Sequence, residues 1–95
     1  MIADLLIRGG TLVTPEGVRP GSVLVRGGWI DAILPPDAPA KAREVLDATG
    51  LHVLPGAIDI HCHIRSPAYP QRGTVLSETA ACAKGGITPV LEMPV

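Results

Sequence analysis

The sequence predicts an α/β chain in two regimes: an all-β region over residues 1–54, then the strand–helix–strand opening of an α/β domain over residues 55–95. Three observations carry that expectation. Short β-rich runs alternate with Gly or Pro punctuators as far as Leu54. Pro55-Gly56 then marks a change of pattern. After it come a strand-like run, a loop, a helix-period segment, Gly85-Gly86 and a second strand-like run.

In the first regime, "DLLIR" leads through Gly9-Gly10 into "TLVT", and "SVLVR" leads through Gly27-Gly28 into "WIDAIL". Runs joined by Gly-Gly read as hairpins, because glycine supplies the positive φ that primed turns require. "PEGVRPG" between them reads as a turn cluster, and the expected product is a small antiparallel sheet. "PPDAPAKARE", with three prolines and mixed charge, reads as an exposed loop, and "VLDATGLHVLPG" adds two short runs around Gly50.

In the second regime, "AIDIHCHI" is a strand rich in isoleucine and "RSPAYPQRG" a loop. "TVLSETAACAK" reads as a helix, with Thr74 as N-cap, Glu78 near the positive end, Lys84 in the last turn and Gly85 at C′. Leu76, Ala80 and Ala83 recur on one face of it. "ITPVLEMPV" is the second strand; Pro89 removes a ladder donor there and is tolerable at the strand's start. Such a crossover implies parallel strands under helices. Because a complete barrel takes about 250 residues, the 95 residues are expected to be the front of a longer protein.

Composition narrows the functional classes. The net charge is −1, with 8 basic residues scattered among 9 acidic ones, so no basic patch exists to neutralise phosphates and no nucleic-acid partner is expected. "MIADLLIRGG" is too short and too charged for a signal peptide or a membrane span, which makes the cytoplasm the expected location. With one Trp, one Tyr and no Phe, the core is built from aliphatic side chains. Cys62 and Cys82 lack metal or disulfide spacing and read as buried, reduced thiols.

The chemistry concentrates in "DIHCHIR". Alternation along a strand puts Asp59, His61, His63 and Arg65 on one face and Ile58, Ile60, Cys62 and Ile64 on the other. Histidines two apart on a strand have Cα atoms roughly 6.5 to 7 Å apart, and both imidazoles can reach one ion at about 2.0 to 2.1 Å. Neutral imidazole suits zinc and similar metals. Two ligands are half a zinc site, so the remainder is expected outside this sequence. The bland alternative is a pair of surface histidines on an edge strand. Arg65 either offers its planar fork to a substrate carboxylate or carbonyl, or is a solvated loop residue. Asp59, deeper in the strand, is expected to orient a histidine or brace the site from behind the ligands. His52 reads as an ordinary, partly exposed strand residue.

"VLDATGLHVLPGAIDIHCHIR" followed by "ETAACAKGGITPVLEMP" resembles the cyclic amidohydrolases, the dihydroorotase, allantoinase and hydantoinase group of the urease-related hydrolases. The resemblance covers essentially the whole chain, and PGxIDxHxH with a later GGIT and MP is its specific part. It implies a (β/α)8 barrel beside a small β-sandwich assembled from both chain ends, with residues 1–54 forming part of the sandwich. It also implies that His61 and His63 hold the more buried metal of a zinc pair. A carboxylated bridging lysine, two further histidines and a catalytic aspartate would lie beyond Val95. The implied reaction is hydrolysis of a ring C–N amide bond in a small cyclic amide or ureide, by a protein expected to form homo-oligomers.

Within the resemblance, Arg65 matches the HxHxR pattern by which dihydroorotases hold a carboxylate. Ser66-Pro67 replaces their Glu-Pro, however, and Met93-Pro94-Val95 their Met-Pro-Asn. Glu92 before Met-Pro and an aliphatic residue after it lean toward allantoinases. Two other readings stand beside this one: a catalytically inactive dihydroorotase-like assembly protein, and a free-standing metal-binding β module. Alone, the 95 residues are expected to be inactive and poorly soluble.

Overall fold

The computed structural model describes residues 2–94; the reading of Val95 lies outside them. The chain divides into two compact units, Met1–Leu54 and Pro55–Val95. Among the described residues it is mostly β with one helix, and no closed barrel is formed.

The first unit is a five-stranded sheet of β1 (Ala3–Thr14), β2 (Gly17–Arg26), β3 (Trp29–Leu34), β4 (Ala42–Asp47) and β5 (His52–Val53). The order is β3-β2-β1-β4, with β5 also on β1. β1 is antiparallel to β2 but parallel to both β4 and β5, so the sheet is mixed where a purely antiparallel one was expected. Hairpin signals report only neighbouring runs; the parallel partners arrive through the loop before β4, which no local signal records.

Gly9-Gly10 is not a turn. β1 continues through it as one strand of 12 residues, with a register shift between Ile7 and Gly10 and Gly9 at φ 68°. That is a bulge, the other use of positive-φ glycine in a strand. Gly10 also admits close packing, since a Cβ there would run into Val53 and Ala48. The reversal lies instead between Thr14 and Gly17, so most of "PEGVRPG" is strand. Pro20 pairs with Thr11 on a stretch of β2 beyond the reach of β3, where one edge tolerates a residue without an N–H. Gly27-Gly28, with φ of 59° and 80°, is the tight turn the sequence predicts.

The core of this unit is Ala3, Leu6, Leu12, Val23 and Ala48. One polar side chain joins it: the buried Ser22 Oγ accepts from the Gly9 N–H (2.9 Å) and donates to the Pro36 carbonyl (3.1 Å). The bulge and the proline loop are thereby tied to β2.

The second unit comprises β6 (Ala57–Cys62), α1 (Val75–Lys84) and β7 (Ile87–Glu92). β6 and β7 are parallel, with α1 in the crossover. Thr74 caps the helix and Ser77 returns the bond, a reciprocal box that satisfies otherwise orphaned donors. Gly85 has φ −83°, so the left-handed position expected there falls one residue later, at Gly86 with φ 86°. The face shared by Leu76, Ala80 and Ala83 is open: Leu76 is 81% exposed, Ala80 and Ala83 are exposed, and the half-buried positions are Glu78, Thr79 and Cys82. Ile58 and Ile60, expected to pack under helices, are also exposed. Among the described residues of this unit, Ile64 is the one buried apolar side chain. Pro89 lies inside β7 and not at its start; it falls where the register shifts between the Ile87 and Val90 pairings, so no regular rung is lost.

Candidate metal centre

β6 and β7 end together, with Cys62 opposite Glu92, and the chemistry-bearing residues follow directly. His61 is the penultimate residue of β6 and His63 the first beyond it. Their rings stand edge to face, 75° between planes, with centroids 5.2 Å apart. Two imidazoles sharing a tetrahedral zinc at about 2.0–2.1 Å have centres roughly 5 Å apart, so the spacing fits a common ion. Both residues are exposed.

His63 has a fixed tautomer. Its Nδ1 lies 2.8 Å from the Met93 carbonyl oxygen, which only accepts, so Nδ1 carries the proton and donates. In the neutral ring Nε2 then keeps its lone pair, the arrangement that prepares a histidine for a metal. Among the described residues no group of three or more His, Cys, Asp or Glu side chains gathers around an ion position. The pair offers two imidazoles, short of the three or four protein ligands that a zinc site takes.

Asp59 is half-buried, and its Oδ1 accepts the backbone N–H of His61 at 3.0 Å. It therefore braces the chain that carries His61. The bond sits where the β6–β7 register breaks between Asp59 and Cys62, so the carboxylate takes a donor that the irregular ladder leaves over.

The face-sharing argument stops short of Arg65. β6 ends at Cys62, and Arg65 has φ 72°, a left-handed conformation that breaks the period-2 alternation. Arg65 is half-buried at the head of the loop, where its carbonyl accepts the Tyr69 N–H at 2.7 Å. Arg72 stacks over the Tyr69 ring at 5.2 Å, ordering the same loop. His52 is an exposed residue of β5. Cys62 and Cys82 are free and half-buried. Desolvation pushes the Cys62 thiol above its ordinary pKa, and the charges of Asp59, Cys82, Glu92 and Glu78 add to the rise.

Sequence reasoning passed over Glu92 and Met93 as parts of this site. Glu92 Oε2 accepts the Ile64 N–H at 2.8 Å, and the Met93 N–H donates to the Cys62 carbonyl at 2.7 Å. The available signal was a lone carboxylate inside the apolar run "PVLEMP".

No protein-family model matches the sequence. The allantoinase of Deinococcus radiodurans is 43% identical over 94 residues, covering 99% of this chain and 21% of its own. Among solved structures, an L-hydantoinase (dihydropyrimidinase) from Arthrobacter aurescens superposes with a TM-score of 0.82 at 33% identity, covering 99% of this chain and 21% of that one. An N-acyl-D-glutamate deacylase from Bordetella bronchiseptica, complexed with zinc and a phosphonate inhibitor, gives 0.76 at 29% identity, with 97% and 19% covered. The chain belongs to the cyclic amidohydrolase family, with the allantoinases and hydantoinases, and spans about one fifth of the length of the relatives it matches.

Proposed function

We propose that the chain is the N-terminal portion of a metal-dependent cyclic amidohydrolase that opens a ring C–N amide bond, with an allantoin-like ureide favoured over dihydroorotate as substrate. The observation that carries this reading is the His61–His63 pair, 5.2 Å apart and edge to face at the carboxyl end of β6, with the Nδ1 of His63 committed to a backbone carbonyl. In parallel α/β architectures the carboxyl ends of strands are where reacting groups gather. The allantoinase relative supports the choice of substrate class.

In this reading residues 1–54 are part of a β-sandwich, and residues 55–95 are the first strand–helix–strand unit of a (β/α)8 barrel. His61 and His63 hold one zinc of a pair through imidazole nitrogen, with Nε2 the donor on His63, and Asp59 keeps the backbone under His61 in place. Zinc supplies a bound water of lowered pKa and a polarised carbonyl. Arg65 offers its guanidinium to a carboxylate or carbonyl of the ring. The complete protein is a cytoplasmic homo-oligomer. Among the described residues no helix is long and apolar enough to cross a membrane, which says nothing about β-barrels.

The test compares hydrolysis of allantoin, dihydroorotate and hydantoin by a longer protein carrying this sequence. Allantoin is expected to be turned over fastest, and His61→Ala and His63→Ala are expected to lose zinc and at least a hundredfold in kcat. A protein that opens none of the three rings, or double-histidine variants with full zinc content, would defeat the reading. The 95 residues alone are expected to be inactive.

A further inference from the structure

We infer that Glu92 is a positioning residue for His63: its carboxylate replaces a backbone rung, and so releases the Met93 carbonyl to fix the imidazole tautomer. The inference rests on the reading of His61 and His63 as metal ligands and adds a residue to that site. In a parallel ladder each residue bonds two positions on its neighbour, two residues apart. Met93 makes the first of these bonds, its N–H donating to the Cys62 carbonyl at 2.7 Å. The second would run from the Ile64 N–H to the Met93 carbonyl. That carbonyl is instead held by His63 Nδ1 at 2.8 Å, and the Ile64 N–H goes to Glu92 Oε2 at 2.8 Å.

The exchange has a physical cause. Ile64 is 6% exposed, so its N–H has to find an acceptor inside the protein. An ionised carboxylate is a stronger acceptor than a peptide carbonyl and wins that donor. Without Glu92, the Ile64 N–H would turn to the Met93 carbonyl, whose oxygen would then serve two donors and hold His63 Nδ1 more weakly. His63 would then sample both tautomers, and in one of them the metal-facing Nε2 carries a proton. Glu92 therefore acts on the metal through two hydrogen bonds while touching neither the metal nor the substrate.

The experiment uses the full-length protein carrying this sequence, with Glu92→Ala, Glu92→Gln and His63→Ala variants. Zinc affinity is measured by chelator competition, the cobalt-substituted proteins by visible absorption, and the His63 tautomer by nitrogen NMR in the metal-free wild type. Glu92→Ala is expected to weaken zinc binding about 10- to 100-fold, as loss of groups behind metal ligands does, and to shift the cobalt bands. Glu92→Gln keeps an acceptor oxygen and is expected to restore affinity to within about threefold of wild type. Wild-type affinity in Glu92→Ala, with zinc lost in His63→Ala, would overturn this inference and leave the metal reading standing. Unchanged zinc in His63→Ala would remove the metal reading, and the inference with it. If Glu92→Ala does not fold, the NMR decides: Nε2–H on His63 in the wild type overturns the inference and Nδ1–H supports it.

Discussion

The two units of this chain are built from similar residues and reach different degrees of completion. Residues 2–54 bury Ala3, Leu6, Leu12, Val23 and Ala48, with Ser22 partnered for both donation and acceptance, although Trp29, Ile30, Val45 and Leu46 stay exposed. Residues 55–94 bury one apolar side chain, Ile64, while Ile58, Ile60, Val75, Leu76 and Leu91 stay exposed. Burial in the first unit concentrates on β1, the strand paired on both sides, which carries Ala3, Leu6 and Leu12. A single β-α-β crossover has one helix for two sheet faces, so its aliphatic residues are arranged for burial that the unit alone does not supply.

That contrast predicts unequal responses to the same kind of substitution. Leu6→Ala is expected to cost about 2–5 kcal/mol by cavity formation, whereas Ile60→Ala, at 70% exposure, is expected to stay within about 0.5 kcal/mol in the 95-residue chain. Urea unfolding followed by circular dichroism compares them, and equal losses would break the contrast. In a longer protein whose further strands and helices cover the Ile60 face, its substitution is expected to approach the cost of Leu6→Ala.

Ser22→Ala strands the Gly9 N–H and the Pro36 carbonyl and is expected to cost about 1–3 kcal/mol, with amide exchange at Gly9 accelerated more than at α1. Protection at Gly9 equal to wild type would show that the bulge does not depend on Ser22. In the second unit, Thr74→Ala removes the cap and is expected to cost about 1 kcal/mol, read as fraying of α1 in carbon chemical shifts. An unfrayed helix would mean that Ser77 caps it unaided.

The smallest expected effect is electrostatic. The Thr49 hydroxyl, and then the Thr49 N–H, hold the Asp47 carboxyl below its ordinary pKa. A depressed folded value stabilises the chain above the unfolded carboxylate pKa, and that contribution disappears as pH falls through the folded value. Thr49→Val is expected to raise the Asp47 pKa toward the ordinary value in an NMR titration, because the larger of the two causes is gone. An unmoved titration would assign the whole shift to the backbone bond.

Much of the site was legible because its signals are local. Period-2 alternation placed the two histidines at the end of a strand, and Thr74, Glu78 and Lys84 marked the helix. The errors were also local signals, read in the wrong context. Gly9-Gly10 carried a genuine positive-φ signal that served a bulge and not a turn. Alternation was extended to Arg65, although the left-handed backbone there ends it. Leu76, Ala80 and Ala83 share a helical face, yet sharing a face does not say what lies against it.

By itself the sequence determined where the regime changes, which run carries the histidines and where the helix begins. Those features depend on bonds and sterics within a few residues. Tertiary structure alone decided that β4 and β5 join β1 in parallel, that Asp59 holds the backbone of His61, and that Met93 and Glu92 divide the donors of His63 and Ile64 between them. The last of these spans 30 and 28 positions of chain. Competition between two donors for one acceptor exists only once both strands are side by side.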